Sequence, residues 1–323
     1  MRDCFVVSYA GVSSSARVDL TVQIGALRLR NPVLAASGTF GYGLEFAHLV
    51  DFHKIGGFVT KGISMEPMEG APSPRLCETP AGMLNAVGLQ NVGVEQFVSS
   101  KLPLLRKYNT TVIVNVFGYC IEEYIGVIQR LESAEGIAAY ELNISCPNVK
   151  KGGMQFGSNP ALVEEVVRAA RAVAVRRPLW VKLMPLVTDI GLIAKTAEGA
   201  GADALTVANT YPAMSVDTRT RRSRLGNLTG GLSGPAIRPI TVRLVWEAKK
   251  AVNIPIIGLG GIEKVDDILE YLAVGASAVQ VGTASFTDPG ISEELSMGLV
   301  RALGEANILT ISELRDKIAV ENG

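Results

Sequence analysis

The sequence predicts an α/β chain folded as a (β/α)8 TIM barrel with long βα-loop insertions at its C-terminal face. Three observations carry that expectation. Short apolar runs alternate with longer segments of helical period. The alternation occurs eight times in 323 residues. Most of the runs are unbroken apolar stretches, as strands covered on both faces require.

The eight runs, in order, are Pro32–Ala36, Gly57–Lys61, Thr111–Val116, Tyr140–Ile144, Leu179–Leu183, Ala204–Ala208, Ile256–Leu259 and Ala278–Val281. Between them, Leu162–Val175 sets Leu162, Val163, Val166, Val167 and Ala170 on one helical face. Ile240–Ala251 and Val265–Val274 show the same period. A doubly wound sheet would normally open with a glycine-rich dinucleotide fingerprint, and Ala36-Ser37-Gly38-Thr39-Phe40-Gly41 is not one. Two segments interrupt the alternation, Glu66–Asn91 and Thr210–Pro235. Both read as long functional loops, and both follow strands, which places them at the C-terminal face. Residues 18–323 are expected to form a single domain. Residues 1–17 read as a loosely ordered extension, because Phe5–Val7 is too short for a signal-peptide core and Asp3 is acidic where such a leader is basic.

Composition narrows the function classes. Lys plus Arg and Asp plus Glu both number 31, so charge gives no reason to expect nucleic acid or an anionic membrane as partner. No apolar run reaches the roughly 20 residues that cross a bilayer. Cys4, Cys77, Cys120 and Cys146 are dispersed, without metal-ligand spacing, so a reduced, cytoplasmic setting is expected. The two histidines, His48 and His53, fall in a helix expected after the first strand and in the loop beyond it, away from the rim.

Polar residues gather where the strands end. Ser37 follows the first strand, and Lys61 and Gly62 close the second. Asn115 lies in the third, the fourth ends at Asn143 and Ile144, and the fifth contains Lys182. Ala208, Asn209 and Thr210 close the sixth. Gly260-Gly261 and Gly282-Thr283 close the last two, the usual phosphate position of this barrel. The phosphate could belong to a flavin mononucleotide or to a phosphorylated substrate. Asn85, Asn143, Asn148 and Asn209 offer amide donors and acceptors suited to a planar ring with alternating N–H and C=O groups.

Cys146 follows the fourth strand and is flanked by Asn143 and Asn148. A thiol can act as a base near neutral pH where its surroundings favour the thiolate. Free cysteine is more commonly a small buried hydrophobe, and Cys4, Cys77 and Cys120 are read in that way. Gly152, Gly153 and Gly157 suit a loop that closes over a ligand.

Four motifs occur in order: Asn85-Ala86-Val87-Gly88-Leu89-Gln90-Asn91, Asn143-Ile144-Ser145-Cys146-Pro147-Asn148, Gly230-Gly231-Leu232-Ser233-Gly234-Pro235 and Gly258-Leu259-Gly260-Gly261-Ile262. They resemble the class 1 dihydroorotate dehydrogenases, and Gly230–Pro239 is most similar to class 1B. The resemblance implies oxidation of dihydroorotate to orotate in pyrimidine (UMP) biosynthesis, with Cys146 as base. It implies FMN held by Ser37, Lys61, Gly62, Asn115, Asn143, Lys182, Ala208, Gly234, Gly260, Gly261, Gly282 and Thr283. It implies substrate held by Lys61, Asn85, Ala86, Val87, Gly88, Leu89, Asn143, Asn209 and Thr210. It further implies a homodimer within a heterotetramer, with FAD and a [2Fe-2S] cluster on a partner subunit that passes electrons to NAD. Competing readings are a dihydropyrimidine dehydrogenase-like flavoenzyme acting on uracil or thymine, and a phosphate-binding barrel without redox chemistry.

Overall fold

The computed structural model describes residues 18–145, 147–148 and 154–315, with backbone only at 147, 148 and 154. Its centre is a closed barrel of eight parallel strands. In chain order these are β1 (Val33–Ala35), β2 (Gly57–Val59), β3 (Val112–Val116), β4 (Ala139–Asn143), β5 (Leu179–Lys182), β6 (Ala204–Val207), β7 (Ile256–Leu259) and β8 (Ala278–Val281). Each pairs with the next, and β8 closes on β1 through Val279 opposite Val33 and Val281 opposite Ala35. Every expected run is a strand, with ends that move by two residues at most.

The barrel strands are buried almost throughout, which explains their apolar composition. Helices cover their outer faces. They include α1 (Ile121–Glu132), α2 (Pro160–Val173), α3 (Ile190–Gly199), α4 (Arg238–Ala251), α5 (Val265–Ala273) and α6 (Ile291–Glu305). Their starts are chemically marked. The Asn159 side chain accepts from Ala161 N at 2.8 Å, and Asp189 accepts from Leu192 N at 3.0 Å. Both satisfy a backbone N–H that a first turn leaves without a partner. The helix expected after β1 is reduced to a single 3-10 turn, Leu44–Phe46. His48 therefore lies in an exposed turn rather than in a helix. His53 faces the far end of the barrel, where its Nδ1 lies 3.1 Å from Arg30.

The two insertions are not simple loops. Leu76–Thr79 and Gly82–Asn85 form a hairpin in the first; Tyr211–Ala213 and Gly230–Ser233 come from the second. Together they make one four-stranded antiparallel sheet, joined by Leu232 opposite Leu84 and Gly231 opposite Asn85. Leu84, Ala86 and Leu225 give it a small core separate from that of the barrel. Segments nearly 150 positions apart thus share backbone hydrogen bonds and one apolar cluster.

That separate core sets an expectation. Leu84→Ala should destabilise the added sheet by roughly 2 kcal/mol or more, as large-to-small substitutions in packed clusters do. Amide exchange should accelerate together in Gly82–Asn85 and Gly230–Ser233 while the barrel strands keep their protection. Acceleration confined to the first hairpin would contradict a shared core.

Candidate active site

A cleft opens at the carboxyl ends of the barrel strands, the usual place of a small-molecule site in such a barrel. Ala36, Ser37 and Gly38 enter it after β1, and Lys182 from the end of β5. Ala208, Asn209 and Thr210 enter after β6. Gly260 and Gly261 follow β7, and Gly282 and Thr283 follow β8. The added sheet supplies the wall, through Asn85, Val87, Ser233 and Gly234. The two insertions belong to the site because they build its side.

The β7–β8 end is shaped by absent side chains. Gly261 has φ near 68°, and a Cβ there would sit 2.7 Å from the Gly234 carbonyl oxygen. A Cβ on Gly282, which lines the cleft, would make only ordinary van der Waals contact, with Ala36 Cβ at 3.5 Å. The Tyr271 hydroxyl donates to the Gly260 carbonyl at 2.7 Å and fixes the first turn. Thr283 Oγ1 donates to Ser233 Oγ at 2.7 Å, tying the added sheet to the end of β8. Glycine backbone lining the cleft in adjacent turns after strands 7 and 8 suits a phosphate.

Asparagines occupy the opposite side. Asn209 Nδ2 donates to Ser145 Oγ at 2.7 Å and to Asn143 Oδ1 at 3.2 Å. Its own Oδ1 accepts from Thr210 N at 2.8 Å. The Asn209 amide is thereby fixed in one orientation, with the Asn143 carbonyl oxygen turned towards it. Asn85 Nδ2 donates to the Gly231 carbonyl at 3.1 Å, across the junction of the two insertions.

Beneath the cleft lies a buried polar layer. Glu141 is fully buried. It accepts from Asn115 Nδ2 at 2.8 Å, Thr206 Oγ1 at 2.8 Å and Gln280 Nε2 at 2.6 Å. Lys182 Nζ stands 3.8 Å from Glu141 Oε1, the oxygen that also accepts from Asn115. A buried carboxylate costs several kcal/mol unless paired, and here three donors and a cation surround it. Glu141, Thr206 and Gln280 were not singled out from the sequence. A signal existed: Thr206 and Gln280 are lone polar residues in otherwise apolar runs, Glu141 is the one charged residue of its run, and in a strand covered on both faces such residues must find a partner.

The other sequence-derived candidates take distinct places. Asn143 stands at the mouth through its bond to Asn209. Asn115 is buried below the rim, and its Oδ1 would lie 3.0 Å from a Cβ built on Gly62. Lys61 is half-buried near Arg75 of the first insertion and Glu45. Within Asn85–Leu89, Asn85 and Val87 line the cleft. Ala86 packs into the small core, and Gly88 sits against the Ala71 backbone. Leu89, at φ 57°, packs against the barrel core. Cys146, Gly152, Gly153 and the side chain of Asn148 lie outside the described residues. Their segment leaves β4 beside Asn209, and its Pro147–Asn148 backbone pairs with Met154–Gln155. Among the described residues, no group of three His, Cys, Asp or Glu could hold a metal ion.

A family model described as dihydroorotate dehydrogenase matches residues 19–303. The chain is 54% identical over 295 residues to a protein of Trichlorobacter lovleyi called dihydroorotate dehydrogenase B (NAD(+)), catalytic subunit. That match covers 91% of this chain and 97% of the relative. A protein of Pelobacter propionicus with the same name is 53% identical over 92% of this chain and 97% of its own length. Another, from Thermodesulfovibrio yellowstonii, is 50% identical over 91% and 97% respectively.

Lys61 gives the site a measurable pH signature. Burial lowers its pKa from the ordinary 10.5, and the Arg75 guanidinium pushes the same way against the Glu45 carboxylate. The folded chain therefore binds fewer protons at Lys61 than the unfolded chain between the lowered pKa and 10.5. Stability at this residue must rise with pH across that window. In denaturant titrations Lys61→Met should remove that rise; an identical pH slope in both proteins would contradict it.

Proposed function

The chain belongs to the dihydroorotate dehydrogenase family, and from that premise we propose that it oxidises (S)-dihydroorotate to orotate in pyrimidine biosynthesis, with FMN as its resident cofactor. The observation that carries this reading is one cleft in which glycine turns, a buried lysine and oriented asparagines meet at the rim of a parallel barrel.

FMN fits the residues present. Its phosphate would rest on the turns of Gly260, Gly261, Gly282 and Thr283, all of which line the cleft. Ser37, Lys61, Gly62, Asn115, Asn143, Lys182, Ala208 and Gly234 would hold the remainder. The buried oxygen Asn115 Oδ1 has no partner within the described residues, so it can accept from a ligand N–H. When bound, FMN supplies the hydride-accepting centre that no side chain provides.

Dihydroorotate would be held by Lys61, the segment Asn85–Leu89, Asn143, Asn209 and Thr210. The Lys61 ammonium answers the substrate carboxylate, and the fixed amides of Asn209 and Asn143 answer the ring N–H and C=O groups. Cys146 takes the proton from ring carbon 5 while hydride leaves ring carbon 6. What supports this is the sequence order: Cys146 follows Ser145, whose hydroxyl accepts from Asn209 at this mouth.

The relatives are named as catalytic subunits of an NAD(+) enzyme. For this chain we propose the same assembly: a homodimer of barrels joined to an electron-transfer subunit carrying FAD and a [2Fe-2S] cluster, in the cytoplasm. The dispersed cysteines support a cluster held elsewhere. No helix among the described residues is long and apolar enough to cross a membrane.

Two measurements test the reading. Cys146→Ser should slow flavin reduction by dihydroorotate by about a hundred-fold or more, the usual weight of a positioned base. FMN should stay bound, because the phosphate turns are untouched, and unchanged reduction would remove Cys146 from the mechanism. The chain alone should reduce NAD poorly, and co-expression with its electron-transfer subunit should restore that activity. Efficient NAD reduction by the isolated chain would contradict the assembly.

A further inference from the structure

The polar layer under the cleft contains a charged group that the proposed chemistry does not use. Glu141 is fully buried and takes donors from three other strands, β3, β6 and β8, as well as facing Lys182 of β5. Thr206 and Gln280 come, like Glu141, from even-numbered strands. Asn115 and Lys182 come from odd-numbered ones, and Lys182 also lines the cleft. Alternate strands of such a barrel contribute alternate layers of side chains, so the carboxylate lies where the packed interior meets the ligand site.

Its effect on Asn115 follows from elementary electrostatics. A primary amide has a donor end and an acceptor end. Against a carboxylate, which only accepts, Nδ2 must face Glu141, because the reverse would set two oxygens against each other in a medium of low dielectric constant. The 2.8 Å contact is in that sense. The Asn115 oxygen is thereby forced away from Glu141, and it is buried beside Gly62 without a partner among the described residues. A buried carbonyl oxygen without a partner costs free energy that a ligand N–H recovers. Gln280 is set by the same carboxylate: its Nε2 faces Glu141 and its Oε1 has no partner among the described residues.

We propose that Glu141 is a positioning residue of the flavin site, fixing the Asn115 amide with its oxygen towards the cofactor and holding the Lys182 ammonium at the cleft floor. The inference rests on the reading of the cleft as an FMN site. A glutamine at 141 has one acceptor oxygen and brings its own NH2 group. It cannot accept from Asn115, Thr206 and Gln280 as the carboxylate does, so the Asn115 amide loses its fixed orientation.

The experiment is a binding cycle on full-length apoprotein titrated with FMN, read by quenching of flavin fluorescence. Glu141→Gln should weaken FMN by about ten-fold, the size of one hydrogen bond lost from a buried site. In an Asn115→Ala background the same substitution should cost less than about three-fold, because the amide through which Glu141 acts is gone. Equal affinity of wild type and Glu141→Gln would overturn the proposal. So would an undiminished ten-fold loss in the Asn115→Ala background, since that is what general loosening of the barrel produces. If wild-type apoprotein takes up no FMN, the flavin reading itself fails and the positioning role falls with it, a result distinct from the other two. Should Glu141→Gln fail to fold, a neutron structure of the wild-type FMN-loaded protein decides. Asn115 deuterons on Glu141 with Oδ1 accepting from the cofactor support the role; the reverse amide orientation overturns it.

Discussion

Parallel closure of the barrel is the constraint from which the site follows. Because β1 to β8 all run the same way and β8 pairs back onto β1, all eight carboxyl ends fall on one rim. Residues far apart in sequence, such as Ser37, Lys182, Asn209 and Gly282, become neighbours around one cleft. An open sheet of the same strands would leave its two edge strands far apart. Closure also buries the interior, which gives the contacts of Glu141 their strength and makes an unpartnered amide oxygen costly.

The added sheet makes a second level of organisation. A barrel supplies a floor and a rim but no wall. Here the wall comes from insertions after β2 and β6, which pair through backbone hydrogen bonds and share the core of Leu84, Ala86 and Leu225. Asn85 and Val87 on one side, and Ser233 and Gly234 on the other, then face the cleft from a hydrogen-bonded frame. The Thr283–Ser233 hydroxyl contact couples that frame to the turns proposed to hold phosphate.

Much of this was legible before the structure. Unbroken apolar runs located all eight strands, because burial on both faces leaves little freedom in composition. The rim residues followed, since a strand's end fixes where its last side chain emerges. Pairing between the insertions was not legible: their glycines and prolines mark turns, and nothing local in either segment names a partner nearly 150 positions away. The helix expected after β1 shrank to one turn, because Gly41 and Gly43 both take positive φ and break any longer helix at its start. Thr206 and Gln280 were passed over because each sits singly in a run read for its apolar majority, and Glu141 because Asn143 in the same run drew the polar role. The role of Cys146 rests on its place in sequence and on the family motif.

The central claim is that this cleft carries out a two-electron oxidation of a dihydropyrimidine acid. Anaerobic titration of the purified, FMN-loaded chain with dihydroorotate tests it most directly, following the visible flavin band and the appearance of orotate together. The band should bleach, with one orotate formed for each flavin reduced. A flavin that keeps its colour in excess dihydroorotate, or bleaches without forming orotate, would contradict it.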